Sequence, residues 1–198
     1  MKSVQPNLLT VVILTVLLAS RVSQGQSTYI FSNYIRPLDA PVFDASGNRL
    51  FGSNYVAVLY GGSSPDSLQL GGNLFTLAPM APAPFTIMPN GLAGYFRGGG
   101  VEVNSVPAGG FAWLQVRAWD ALLGATYDDA VKQGLGGYGE SNLFYARGGD
   151  PTLTEPGLPE PLFGLQSFSL LPEVPEPASF SLLLLGLPLL LLLRRRGK

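Results

Sequence analysis

The body of the chain is a series of short apolar runs that glycine or proline interrupts every few residues. Between positions 26 and 173 most of these runs contain four to nine residues, which is the length of a strand and not of a helix. The pattern predicts an all-β fold, an antiparallel β-sandwich of about eight short strands. The predicted strands are 29–35, 55–60, 74–77, 95–96, 101–106, 111–119, 143–147 and 164–170.

The clearest strand pattern covers residues 111–119. Alternate positions carry small aliphatic side chains, namely Ala112, Leu114, Val116 and Ala118. Since successive side chains of a strand point to opposite faces, this row is expected to face the core, and Trp113 and Trp119 the other side. Residues 107–110 predict a four-residue hairpin loop that joins this strand to strand 101–106.

A few segments predict other local structures. Residues 125–133 predict one short helix, because Asp128 and Asp129 come early, Lys132 comes late and Gly134 follows as a stop. Residues 44–48 and the glycines at 98–100 predict turns, and residues 150–161 a crossing loop.

The C-terminal tail combines a Pro-Glu-Pro motif, an apolar run and a basic end. These parts are Val174, Pro175, Glu176 and Pro177, then residues 178–193, then Arg194, Arg195 and Arg196. As a helix the apolar run would be about 24 Å long, somewhat short of a bilayer core of about 30 Å. The arginines are expected to stay cytoplasmic and to leave the rest of the chain on the far side of the membrane.

In motif, span and basic cluster, this tail resembles the PEP-CTERM sorting signal of diderm bacteria. The resemblance implies that an exosortase, an intramembrane transpeptidase, recognises Pro175, Glu176 and Pro177 and removes the tail. The prolines favour an extended, accessible segment outside the membrane. The alternative is an uncleaved single-span anchor. The body also resembles, at 40–44, 116–120, 141–144 and 164–168, uncharacterised cores that accompany such tails.

The N-terminus predicts export as well. Lys2, an apolar stretch over 8–19 and small residues at 23–25 are typical of a signal peptide that signal peptidase removes before Gln26. An uncleaved anchor is the alternative. The predicted organisation is a signal peptide (1–25), a β-sandwich domain (26–171), a Pro-rich linker (172–177), a transmembrane helix (178–193) and a basic tail (194–198).

Charge and composition narrow the function. The 26–173 segment has six basic and twelve acidic residues, a net charge of −6, and nucleic acid is therefore not an expected partner. The chain contains no cysteine and no histidine, which excludes disulfides, Ser-His-Asp and Cys-His nucleophiles and the common zinc sites. We predict no metal and no cofactor. A weaker alternative places a cation between the loops that carry Asp120, Asp128, Asp129 and Glu140.

Two further chemistries remain open on the sequence. A glycosidase needs two carboxylates across a cleft, and Glu102, Asp120, Asp128, Asp129 and Glu140 qualify by type, although no spacing selects a pair. Trp113 and Trp119, about 20 Å apart on a continuous strand, could instead stack sugar rings. The expected function is a non-catalytic, exported surface or exopolysaccharide-associated interaction protein, with a carbohydrate-binding module as the alternative and a hydrolase as a distant third.

Overall fold

The computed structural model describes residues 25–76, 78–87, 91–155 and 157–172. The predicted signal peptide up to position 24, the sorting motif, the predicted membrane helix and the basic tail all lie outside these residues. Within the described ranges, no helix is long and apolar enough to cross a membrane. Strands dominate this part of the chain, and the prediction of an all-β class is confirmed there.

The described residues form more strands than the sequence predicts, and eight of these strands contain only two residues. The strands are β1 (Gln26–Ser32), β2 (Tyr34–Ile35), β3 (Leu38–Asp39), β4 (Val42–Phe43), β5 (Tyr55–Gly62), β6 (Gln69–Leu70), β7 (Gly72–Asn73), β8 (Ala83–Pro84), β9 (Arg97–Pro107), β10 (Phe111–Asp120), β11 (Tyr138–Glu140), β12 (Phe144–Arg147), β13 (Glu160–Pro161) and β14 (Phe168–Ser169). The helix α1 is Tyr127–Gln133, and a short 3-10 turn covers Pro65–Ser67.

Two main sheets organise these strands. The smaller sheet has the order β13-β1-β9-β7. In the larger sheet β10 is central, with β5 on one side and both β11 and β12 on the other, while β6 and β8 pair with the far side of β5. The pairs β2–β3 and β14–β4 form two small sheets among the described residues.

The two main sheets share one hydrophobic core. Tyr29 of β1 and Val103 of β9 belong to the same buried cluster as Leu59 of β5 and Leu114 of β10. Gly61 lies at the closest approach, because a Cβ added there would lie 2.6 Å from Cγ2 of Val103. The predicted alternation of β10 is confirmed, since its small aliphatic row is 0 % exposed.

The long strands lie inside the sheets. The positions at the sheet edges are occupied by β6, β7, β8, β11, β12 and β13, each of two to four residues. Strands β1, β5, β9 and β10, each of seven to eleven residues, pair on both sides along part or all of their length.

The predicted hairpin over residues 107–110 is wrong. β9 pairs with β1 and β7, whereas β10 pairs with β5, β11 and β12, so this connection passes from one main sheet to the other. The hydroxyl of Ser27 donates to the carbonyls of Pro107 at 2.6 Å and Gly110 at 3.1 Å, and thereby holds the crossing against β1.

Four other predictions need correction. The sheets are not purely antiparallel, since β1–β13 and β4–β14 are parallel pairs. Leu74 begins a turn and not a strand, because Oδ1 of Asn73 accepts hydrogen bonds from the amides of Phe75 and Thr76.

The glycines at 98–100 belong to β9 and not to a turn. A Cβ on Gly98 would clash with the ring of Phe31. Of the predicted strand 164–170, only Phe168–Ser169 forms a strand, β14.

The helix and one turn are confirmed. α1 begins after Thr126, whose hydroxyl accepts a hydrogen bond from the backbone of Asp129, and ends at Gly134 with φ of 67°. In the turn at 44–48, Oδ1 of Asp44 accepts from the amides of Ser46 and Asn48, both at 2.8 Å. Local hydrogen bonds therefore account for the acidic and polar residues of both segments.

Candidate functional site

The structure separates the two tryptophans that the sequence pairs as a sugar-stacking site. Both lie on the outer side of β10, but Trp119 is only 1 % exposed. Its Nε1 donates to the carbonyl of Gly124 at 2.9 Å, and its ring meets Tyr127 of α1 edge-on at 6.3 Å. Because α1 covers Trp119, a two-tryptophan platform does not form, and Trp119 is part of the packing under the helix.

Trp113 belongs instead to a group of three rings, the aromatic cluster Phe111, Trp113 and Tyr145, in which Trp113 is half-buried and the other two rings are exposed. The Tyr145 ring lies between the other two, at 5.2 Å from the Phe111 centroid and 5.0 Å from the Trp113 centroid. Phe111 and Tyr145 are 52 % and 54 % exposed. The cluster is therefore an apolar surface that the described fold leaves open to solvent.

Strand register creates the aromatic cluster. Phe111 and Trp113 are two residues apart on β10 and point to the same face. β12 runs antiparallel to β10 and places Tyr145 opposite Trp113 and Arg147 opposite Phe111. The sequence shows the shared face of Phe111 and Trp113, but it does not show the register that adds Tyr145.

A polar group continues the same face along β10. The guanidinium of Arg117 lies 4.1 Å from the Tyr60 ring centroid and 5.2 Å from that of Tyr127. Its Nε donates to Oε1 of Gln115 at 3.1 Å and lies 3.6 Å from Oε2 of Glu140. Burial raises the pKa of Tyr127 to about 12, so Arg117 packs against a neutral phenol. These contacts fix the guanidinium in one place.

Arg147 is the least engaged cation at the aromatic end of this face. Its Nε donates to the carbonyl of Gly109 at 3.2 Å, and its positive charge contributes to the lowered pKa of Asp150. Within the same ranges, neither Nε1 of Trp113 nor the hydroxyl of Tyr145 has a hydrogen-bond partner. The rim of the cluster thus offers donors that the described part of the protein does not use.

A groove of about 540 Å³ adjoins the cluster at Arg147. Its walls include the apolar side chains of Ile30, Leu153 and Leu158, and the acidic residues Asp150 and Glu160. The carboxylate of Asp150 accepts from the amide and hydroxyl of Thr152 at 2.9 and 2.6 Å, and these hydrogen bonds lower the pKa of Asp150.

The candidate carboxylates do not form one group among the described residues, although Glu140 and Asp128 both lie near enough to Tyr127 to help raise its pKa. Glu102 is 7 % exposed on β9 of the smaller sheet, and burial raises its pKa, while Asp120 and Glu140 belong to the larger sheet. Asp129 accepts from the hydroxyl of Thr126 at 2.7 Å, which lowers its pKa. In the described ranges no three acidic side chains form a group that could hold a metal ion.

Comparisons of the chain with models of protein families, with characterised proteins and with solved structures find no match. The described residues form an all-β module with a partly exposed aromatic cluster on its larger sheet. Its function is argued from that cluster and from the sequence signals at both ends.

Proposed function

We propose that this protein is an exported interaction protein of the bacterial envelope or its exopolysaccharide layer. Signal peptidase removes residues 1–25, and an exosortase acts on the motif Val174, Pro175, Glu176 and Pro177 while residues 178–193 hold the chain in the inner membrane. Residues 26–171 are the β-sandwich module that reaches the surface, and the basic residues 194–198 stay behind in the cytoplasm.

The exposed aromatic cluster carries the part of this proposal that concerns the module. Aromatic rings are costly to expose, and a group of them beside arginine and other hydrogen-bond donors is typical of a binding surface. The acidic side chains, by contrast, have structural roles: Asp44 accepts hydrogen bonds within a turn, Asp129 binds the hydroxyl of Thr126 at the start of α1, and Glu140 lies near Arg117. The face therefore supports binding, and the proposal includes no catalytic step.

Mass spectrometry of the mature termini tests the sorting half of the proposal. In wild-type cells the exported protein should begin at Gln26 and should lack peptides beyond Leu182. Glu176→Ala should accumulate a full-length form in the inner membrane. Glu173→Ala removes a carboxylate just outside the motif and should be processed normally. Mature surface protein that still carries the apolar tail would contradict the sorting role.

Cell fractionation tests the interaction half. A Phe111→Ala, Tyr145→Ala double variant should be processed like the wild type but should be washed from the envelope fraction more easily. Phe51→Ala is the matched control, because Phe51 is an aromatic residue with 55 % exposure outside the cluster. Equal retention of all three proteins would rule out the cluster as the interaction surface.

A further inference from the structure

We propose that the module stands on its C-terminal end, so that the aromatic cluster faces away from the inner membrane and binds material of the layer beyond the module. This inference rests on the proposed sorting and interaction roles and adds the orientation of the binding surface. It follows from the positions at which the chain enters and leaves the module.

The C-terminal exit lies at the Asp120 end of β10. The amide of Leu171 donates to the carbonyl of Tyr138 at 2.8 Å, and the carbonyl of Leu171 accepts from the amide of Gly137 at 3.0 Å. The carbonyl of Gly137 in turn accepts from the amide of Asp120 at 2.9 Å, and β11 pairs with the last part of β10. Pro172, the last described residue, therefore leaves the module beside the end of β10.

The aromatic cluster lies at the opposite end of the same strand. Phe111 is the first residue of β10, and Tyr145 lies opposite Trp113. β10 has ten residues, so at about 3.3 Å per residue it is about 30 Å long. The cluster and the C-terminal exit are thus separated by about 20–30 Å along the strand axis.

The tether to the membrane is too short for the module to turn over. The predicted membrane segment begins at Ala178, and a fully extended chain from Pro172 to that residue covers at most about 20 Å. Pro175 and Pro177 restrict the backbone of this stretch further. An inverted module, with the start of β10 against the lipid, would place Pro172 about 30 Å above the bilayer. That height is beyond the reach of the tether.

The N-terminus leaves the module at the cluster end. Gln26 begins β1, and the amide of Ala108 donates to the carbonyl of Gly25 at 2.8 Å. Ala108 belongs to the crossing at 107–110, which leads directly into Phe111. A retained signal peptide would therefore tie the cluster end to the membrane as well. Signal peptidase cleavage before Gln26 is the step that frees this end.

Single cysteines can measure the orientation, because the chain contains no cysteine of its own. In the Glu176→Ala background, which should hold the exported protein in the membrane, Tyr145→Cys marks the cluster end and Leu122→Cys marks the exit end. These side chains are 54 % and 76 % exposed, and the amide of Leu122 donates to Oδ1 of Asp120. The processed protein is reconstituted in phospholipid vesicles and coupled to a membrane-impermeant donor dye.

Energy transfer to an acceptor dye on the lipid headgroups gives the height of each label. The label at 145 should lie about 20 Å further from the headgroups than the label at 122. Leu153→Cys at the cluster end and Leu171→Cys at the exit are the matched second pair, with exposures of 56 % and 51 %. Circular dichroism checks that every variant is folded.

A further variant tests the role of the N-terminus. Ser23→Tyr places a bulky side chain where signal peptidase requires a small one. Protein that keeps its signal peptide should bring the label at 145 down to about the height of the label at 122. An unchanged height difference in that protein would contradict the tethering role of the N-terminus.

The outcomes separate the orientation from the proposed roles. Equal heights in the processed protein, or a label at 145 nearer to the lipid, would overturn the inference. If the heights differ as expected but envelope retention does not depend on Phe111 and Tyr145, the orientation stands and the interaction role fails. If the Glu176→Ala protein does not float with the vesicles, the sorting role and the orientation fail together.

Discussion

Replacing Asn33 by alanine should lower the free energy of unfolding by more than the loss of one polar side chain suggests. Asn33 is 0 % exposed and lies between β1 and β2. Its Nδ2 donates to the carbonyls of Ala40 and Gly94, both at 2.8 Å, and its Oδ1 accepts from the amide of Phe96 at 2.8 Å. One amide group thus joins three separate stretches of backbone in the core.

The cost follows from the backbone groups that the substitution leaves without a partner. The Gly94 carbonyl keeps a hydrogen bond from the amide of Val42 at 2.9 Å, so its loss is partial. The Ala40 carbonyl and the Phe96 amide lose the bond from Asn33, and each buried unsatisfied group costs about 1–3 kcal/mol. The expected decrease in the free energy of unfolding is therefore about 2–6 kcal/mol, a large part of a domain's usual stability of about 5–15 kcal/mol.

Asn142→Ala provides the matched control. Asn142 also makes hydrogen bonds through both ends of its amide, at 2.9 Å to the carbonyl of Gly164 and at 2.9 Å from the amide of Gln166, but it lies at the surface. Water can replace these bonds, so the expected loss is about 1 kcal/mol or less. Urea unfolding of the full-length chain, followed by tryptophan fluorescence, measures both values. Equal losses for the two variants would show that the buried network does not act as argued.

Two further predictions concern the strands on either side of the core. Leu114→Ala should lower the free energy of unfolding by about 2–5 kcal/mol, whereas Gln115→Ala, which loses hydrogen bonds at the outer face, should lower it by about 0.5–1.5 kcal/mol. Equal effects in urea unfolding would mean that the orientation of β10 is misassigned. Burial raises the pKa of Glu102 in the folded protein above its ordinary value in the unfolded chain. Its contribution to the free energy of unfolding is therefore fully present below the ordinary glutamate pKa and is lost as the pH rises through the raised value. Glu102→Gln should therefore stabilise the protein near pH 7 relative to wild type and flatten the pH dependence of the urea midpoint, and an unchanged pH profile would contradict this.

The period of β10 was predictable from sequence, but its partners were not. Alternation depends only on neighbours along the chain, so Leu114 was placed in the core from the pattern alone. The hairpin prediction is wrong because it assumes that strands adjacent in sequence pair with each other, whereas here the chain crosses from β9 in one sheet to β10 in the other. The hydrogen bonds from Ser27 that fix this crossing join residues 80 and 83 positions apart, and no local pattern reports them.

The candidate site shows the same division between local and long-range information. Phe111 and Trp113 share a face of one strand and could have been grouped from sequence. Tyr145 lies beside them because of the β10–β12 register, which is a long-range feature. Trp119 is buried because α1 packs over it, and the strand pattern alone does not show this contact. The signals at both ends of the chain depend on composition and order, which the sequence shows directly, and their roles remain predictions.

The short strands at the sheet edges bear on how this protein behaves when many copies are crowded together. A long, flat edge offers a row of unpaired amides and carbonyls onto which another molecule can add a strand, and such additions lead to fibrils. In the described residues the edge positions hold strands of two to four residues, too short to support an extended ladder between molecules. Densely packed copies should therefore remain separate folded units that associate through side-chain surfaces, so that any network they build can be dissolved without denaturing its components.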